Sequence, residues 1–459
     1  MPANLYRLAD KFAKKFPPPP QSNNTKEITM NARQVARSLL LKCESSEQYS
    51  NIAIDNALRE SKLSHADKAL VSALVYGVIE RRITLDYYIS KLSTRELSTI
   101  EKDALCALRL GLYQLIYMDK IPPHAAINET VSLCKRSFAG FVNAILRSYT
   151  RLEAPIELPS KEDSPAEYLS VAYSVCRDLA EKFICVFGVT RAEEILRATF
   201  NTPKTTLRVN TLKTTREKLA ARIDGAELSS LSPAAIKVSG SVRELYGYSD
   251  GSFFVQDEAS QICVGASGVK SGDTVIDACA CPGSKSFGMA IEMGNEGTIL
   301  SFDLHKNKLS LINSGAERLG IKIIKTDAND ARNFLPELEG RADCVLCDVP
   351  CSGFGVLAKK PELRYKSPSA SAALPDIQLA ILENCSRYVR SGGSLVYSTC
   401  TIFPEENREN VERFLARHGE FSLSAFEYGV LSAPEGTLSL YPDTHGTDGF
   451  FVAKMIKNK

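Results

Sequence analysis

The sequence predicts a multidomain chain: an all-α N-terminal domain, a small α+β segment, and a C-terminal α/β domain on a mostly parallel sheet. Three observations carry this. From about residue 31 to 150 the apolar residues recur at helical spacing and nothing reads as a strand. Strand-like pieces, TTLRVN (205–210) and SFFVQ (252–256), enter only after a further helical stretch. Beyond 270, short β-rich runs recur with helical segments between most of them, the signature of a doubly wound sheet.

Residues 1–30 read as a flexible extension: a short lysine-bearing helical pattern, PPPP (17–20), then a polar stretch. Its acidic residue and its poverty in serine and arginine argue against a targeting peptide. Residues 31–150 form the helical domain, with ARQVARSLLLKC, KALVSALVYGVIERRITLDYYISKL and AGFVNAILRSYTRL as its clearest patterns. A linker (151–165), containing EAPIELPSKEDSP, closes it. Residues 166–265 are the mixed segment and 266–459 the α/β domain. The expected strands of the latter are TVIDACA, TILSFDL, IKIIKTDA, DCVLCDV, GSLVYSTC and FFVAKM.

The chain has 459 residues, is 44% hydrophobic and 24% charged, and carries a formal net charge of +2. That is the composition of a soluble globular protein, and its neutral total does not by itself point to nucleic acid. No apolar run approaches the ~18 residues of a membrane span, so no membrane association is expected. Thirteen scattered cysteines in a chain this long imply free thiols in a reducing cytoplasm. Most should be small core residues, Cys385 in DIQLAILENCSRYV among them.

In doubly wound sheets ligands sit at the carboxyl ends of the strands. DACACPGSK (277–285) leaves the first such end in a Pro-Gly turn, where small residues admit close backbone approach and a helix start presents N–H groups. The next two runs end in Asp303, placed to accept from ribose hydroxyls, and Asp327, placed to meet an adenine amino group. CDVPCSGFGV (347–356) joins Asp348 to Cys351, and VYSTCT supplies Cys400. A zinc site is not expected: Cys344 and Cys347 lie three apart in one strand, hence on opposite faces, and no fourth ligand has matching spacing. The five histidines are dispersed, so no cysteine–histidine hydrolase pair is visible.

Two thiols and an acid suit one chemistry. Carbon 5 of a pyrimidine is a poor nucleophile, but a thiolate added at carbon 6 makes the ring enamine-like, and carbon 5 can then attack an activated methyl group. The carbon-5 proton leaves and the thiol is eliminated. One cysteine attacks, Asp348 handles N3, and the second cysteine assists proton removal or release. The attacking sulfur needs a lowered pKa or a base, which the sequence does not identify.

VIDACACPGSK, DVPCSGFGV, LVYSTCTIFPEENRENV and the closing DGFFVAKM resemble the motifs of the NOL1/NOP2/Sun RNA cytosine-5 methyltransferases. IPPHAAINETVSLCKR and FVNAILR resemble the NusB fold, and PKTTLRVNTLK and FFVQDEASQ match the family's segment ahead of the catalytic core. The pairing is similar to the family's bacterial branch that modifies cytosine 967 of 16S rRNA. The resemblance implies an all-α NusB-like RNA-binding domain, a small RRM-like subdomain and a Rossmann-like methyltransferase domain. It implies Cys400 as nucleophile and Cys351 in product release. It implies S-adenosyl-L-methionine held by Cys279, Ala280, Cys281, Pro282, Gly283, Ser284 and Lys285 with Asp303, Asp327 and Asp348. The substrate would be 16S rRNA, not DNA, and the enzyme a monomer without a metal. Cys281 and Ser284 replace the family's usual alanine and second glycine, and there is no tryptophan. Met30 stands where the resemblance begins, so a native chain starting there is expected, which intact mass would decide. The rivals are a methyltransferase acting on another RNA, a DNA enzyme attacking with Cys351, and a non-catalytic NusB-like RNA-binding factor.

Overall fold

The computed structural model describes residues 31–46, 54, 57, 58, 61–201 and 204–458. The expected extension, 1–30, lies outside the described residues.

The N-terminal part is helical: α1 (Ala32–Ser46), α2 (His65–Glu80), α3 (Arg82–Leu92), α4 (Lys102–Tyr117), α5 (Pro123–Ser132) and α6 (Arg136–Thr150). Local chemistry sets the boundaries. The Ser64 hydroxyl accepts from the Asp67 amide and caps α2, and Pro123 opens α5 where a missing N–H costs nothing. In α6, Phe138, Val142, Ile145 and Leu146 fall on one stripe and are buried in the shared core. Arg109, an oddity in the apolar α4, is buried because Asp86 grips it at 2.6 and 2.8 Å and Glu44 closes on the other side.

Next come α7 (Pro165–Tyr173) and α8 (Arg177–Ala198), the latter broken at Gly188, where φ is 73°. A four-stranded antiparallel sheet follows in the order β2-β3-β1-β4, from β1 (Thr205–Val209), β2 (Glu227–Leu228), β3 (Ala235–Val238) and β4 (Phe253–Val255). One face packs Leu207, Val209, Ile236 and Phe253 with Leu219 of α9 (Arg216–Ala220). From the other, the wholly buried Arg208 reaches Glu292 of the C-terminal domain at 2.5 Å.

The C-terminal sheet runs β10-β14-β9-β8-β5-β6-β7. Its parallel strands are β5 (Thr274–Asp277), β6 (Thr298–Asp303), β7 (Ile324–Ala328), β8 (Ala342–Asp348) and β9 (Val389–Thr399). β14 (Phe450–Lys457) lies antiparallel to β9. All six expected strands are present. Those the periodicity did not show are β10 (Phe421–Leu423), β11 (Phe426–Tyr428), β12 (Leu431–Ala433) and β13 (Thr437–Leu440). Both faces are covered, as a parallel sheet requires. α10 (Glu258–Ser267), α11 (Ser284–Glu292) and α12 (Leu309–Leu319) bury one side, and α13 (Leu374–Ser386) and α14 (Arg408–Leu415) the other. Cys344 falls in the first of these cores, and Cys347 and Cys385 in the second.

Candidate active site

β8 and β9 are sheet neighbours in parallel register, Asp348 opposite Ser398. Two cysteines just beyond their carboxyl ends are therefore brought together although 49 residues separate them. Cys351 Sγ lies 3.1 Å from Cys400 Sγ, and the Cys400 amide donates to Cys351 Sγ at 3.3 Å. The two thiols are inequivalent. A hydrogen bond from Cys351 holds the Cys400 thiol below the usual thiol range, against burial and Asp348, with Lys360 and Lys285 helping. The same bond, with burial, pushes Cys351 well above it. The pair thus favours Cys351 as hydrogen-bond donor and Cys400 as the more acidic thiol.

Asp348 is held from both sides. Its Oδ2 accepts from Lys285 Nζ at 2.6 Å and its Oδ1 from the Ser398 hydroxyl at 2.8 Å. Burial alone would pull the Lys285 ammonium down, but Asp348, the largest of the opposing influences, pushes it up and keeps it charged. Lys285, read from the sequence as part of the ligand loop, is thus an ion-pair partner of Asp348.

Behind this pair opens a cleft of about 480 Å³ over the ends of β5, β6 and β8. Cys279, Cys281, Asp303 and Asp348 line it. Ala280 is buried beneath them, and Pro282, Gly283 and Ser284 form the turn into α11. Gly283 is needed there: its φ is 108°, and a Cβ would sit 2.7 Å from the Phe287 ring. The Asp303 carboxylate accepts from the amides of Cys281 (3.2 Å) and His305 (2.9 Å), which fixes it at the rim. Burial and Asp303 push the Cys281 thiol up to about 12, so it stands as a neutral thiol beside that carboxylate. The structure does not bring Asp327 to this cleft. Asp327 is exposed and accepts from the Ala328 amide, whereas Asp330, on the turn after β7, lines the wall.

The cleft fits the implied cofactor on its own chemistry. Leu374, Ile377 and Ile381 offer an apolar wall for a flat base and Asp303 an acceptor for ribose hydroxyls, while Asp330 and Asp348 are already paired with Arg332 and Lys285.

Sequence reasoning missed the platform under the cysteines. Glu406, buried, accepts from the Ser352 amide at 2.9 Å and from Gln378 Nε2 at 2.8 Å, and Ser352 Oγ donates to Thr401 Oγ1 at 2.9 Å. The signal was the polar run PEEN directly after the cysteine-bearing strand end. Near the cysteines, Arg364 is wholly buried and Lys359 is paired with Asp257 and Asp448, so neither is free to meet a phosphate.

Residues 268–456 match the family model of the 16S rRNA methyltransferases RsmB/F, 30–151 that of the NusB family, and 179–243 the ferredoxin-like domain of RsmF/B-like methyltransferases. A probable ribosomal RNA small subunit methyltransferase B of Bacillus subtilis is 36% identical over 444 residues, 93% of this chain and 99% of that protein. The ribosomal RNA small subunit methyltransferase B of Escherichia coli (strain SMS-3-5 / SECEC) is 31% identical over 409 residues, 87% and 92% of the two chains. The crystal structure of PH0851 aligns with a TM-score of 0.75 at 26% identity, covering 95% of this chain and all of that one. NSun6 from Pyrococcus horikoshii, solved with the S-adenosylmethionine analogue SFG, aligns with a TM-score of 0.57 at 25% identity, covering 62% and 98%. In sequence and fold alike, the chain belongs to the RsmB/Sun family of S-adenosylmethionine-dependent ribosomal RNA small-subunit methyltransferases.

Proposed function

We propose that this enzyme methylates carbon 5 of a cytosine in 16S rRNA, cytosine 967, through a covalent bond between Cys400 and carbon 6. The observation that carries the reading is the pair of thiols 3.1 Å apart, of which Cys400 is the more acidic, beside the Lys285–Asp348 ion pair. S-adenosylmethionine supplies the methyl group. The residues do the rest. Cys400 Sγ⁻ adds to carbon 6 while the Asp348–Lys285 pair meets N3 and stabilises the electron density arriving there. Carbon 5 takes the methyl group, a base removes the carbon-5 proton, and the S–C6 bond breaks to restore the aromatic ring. Cys400 leaves as the thiolate it began as, and Cys351, whose thiol keeps its proton, is placed to hydrogen-bond the departing sulfur. Asp303 and Asp330 line the cleft that would hold the cofactor with the 279–285 loop; Asp327, expected for this from the sequence, is exposed and lies outside that lining. A target base must leave its stack, which costs a few kcal/mol and least in a loop. The reading includes a monomeric, cytoplasmic enzyme with RNA rather than DNA as substrate.

The test is methyl transfer from labelled S-adenosylmethionine to unmodified 16S rRNA. Cys400→Ala should lose at least about 10³-fold in rate. Cys351→Ala should accumulate a covalent protein–RNA adduct. If Cys351→Ala is dead without an adduct while Cys400→Ala still turns over, the roles are those of the DNA-type chemistry and the proposal fails.

A further inference from the structure

The segment that begins at Cys351 ends, fourteen residues later, inside the helical domain. Each stage of its path is tied. At the start, the Gly355 amide donates to the Cys400 carbonyl at 3.0 Å, and its own carbonyl accepts from the Gly449 amide at 2.8 Å. Phe354 and Leu357 are buried against α7 and α8. Farther along, the wholly buried Arg364 donates to the Tyr173 carbonyl (3.0 Å) and to the carbonyl and hydroxyl of Thr199 (3.1 and 2.7 Å). Arg364 and Arg81 both stack on Phe200, 4.4 and 3.3 Å from its centroid.

The end of the path is Tyr365, at the corner where α2 gives way to α3. A helix start leaves its first N–H groups without helical partners. Here Tyr365 Oη accepts from the Arg82 amide at 3.2 Å and donates to the Ile79 carbonyl, while Ser174 Oγ accepts from the Ile83 amide at 3.0 Å. Tyr365 Oη and Ser174 Oγ lie 3.4 Å apart, and the Arg82 guanidinium covers the Tyr365 ring at 3.8 Å. A side chain of the methyltransferase domain therefore caps a helix corner of the NusB-like domain, on the chain segment that carries Cys351.

We propose that Tyr365 is a positioning residue that registers RNA gripped by the NusB-like domain on the Cys351–Cys400 pair. The proposal rests on the RNA methyltransferase reading above. It assigns Tyr365 no contact with the reacting atoms; its hydroxyl fixes the helix corner relative to the 351–365 segment. Loss of that hydroxyl uncouples the two domains and leaves the cofactor cleft untouched.

The test uses the full chain and two RNAs: unmodified 16S rRNA, and a short hairpin carrying the target cytosine, too small to span both domains. The wild type should use the long RNA with the higher kcat/KM. Tyr365→Phe should reduce that advantage about tenfold, leaving activity on the hairpin and S-adenosylmethionine affinity unchanged and lowering Tm only by the few degrees that one lost buried hydroxyl explains. Ser174→Ala should act in the same direction but less, and substitutes as the test should Tyr365→Phe fold poorly. The proposal is overturned if both RNAs lose activity in parallel with Tm, since the role is then only structural, or if the advantage persists in both variants. A wild type inactive on both RNAs contradicts the function proposed above instead, a result distinct from any change in the ratio.

Discussion

Asp277 shows how much of this site is set by burial. It ends β5 beneath the ligand loop, wholly buried; the Ser286 hydroxyl donates to its Oδ2 at 2.6 Å, and its Oδ1 has no partner among the described residues. Burial pushes its carboxyl from 3.8 up to about 7, against the pull of the Ser286 hydrogen bond. The neutral acid is therefore the form the fold favours. In the unfolded chain the group ionises near 4 and in the native protein near 7, so across that window the unfolded state has released a proton the native state retains. Stability contributed by this residue is full below pH 4, is lost as pH rises through 7, and is flat above. At about 1.4 kcal/mol per unit the window spans at most about 4 kcal/mol. Asp277→Asn cannot ionise, so between pH 5 and pH 8 its unfolding free energy should gain on the wild type by about 2–3 kcal/mol. Denaturant unfolding at the two pH values measures it, and parallel curves would refute the assignment.

Elements, rather than residues, explain what was legible in the sequence. β5, β8 and β9 announce themselves because a strand buried on both faces is a near-continuous apolar run. β2 and β10 do not, being two or three residues long and largely exposed, so no period can emerge from them. Asp303, Asp348, Cys351 and Cys400 could be proposed from sequence because ligands gather at strand ends, a rule that needs only the ends. Asp330, on the turn beyond β7, lines the cleft too, and a rule that stops at the strand end does not point to it. Pairings that cross elements, such as Lys285 with Asp348 or Ser352 with Glu406, leave no local pattern. One junction between elements gives a sharp prediction. A Cβ on Gly355 would lie 1.9 Å from the Gly449 carbonyl oxygen and 2.8 Å from that of Cys400. Both neighbours are backbone, so no rotamer relieves the clash and the loops bearing the two cysteines must part. Gly355→Ala should cost about 1–3 kcal/mol in thermal unfolding and slow methyl transfer far more than it weakens S-adenosylmethionine binding. Unchanged turnover would show that the junction plays no part in holding the sulfurs.

At the scale of the whole molecule, a formal charge of +2 conceals a division. Lysine and arginine outnumber aspartate and glutamate over residues 31–150, and the balance reverses from 151 to the end. RNA, a polyanion, should therefore be gripped mainly by the NusB-like domain. The structure narrows which cations can do it. Arg364 and Arg208 are buried in domain junctions, and Arg81 is stacked on Phe200 and Tyr117. The four-stranded sheet that might have offered a base-stacking face instead turns Arg208 into the methyltransferase domain. Lys135, Arg136 and Arg147 remain exposed around the start and end of α6. Lys135 pairs with Glu101 at 3.3 Å with both side chains more than half exposed, a contact too solvated to hold it from a phosphate. Each phosphate neutralised releases condensed counterions, so affinity falls with salt at about 0.7–0.9 logarithmic units per contact. A Lys135→Ala, Arg136→Ala double variant should thus bind 16S rRNA more weakly at low salt and converge on the wild type at high salt. The slope of log affinity against log salt should flatten by about 1–2, with S-adenosylmethionine binding unchanged. An equal slope in both proteins would move the RNA path off this face and onto the methyltransferase domain, where exposed Lys360 follows the cysteine loop.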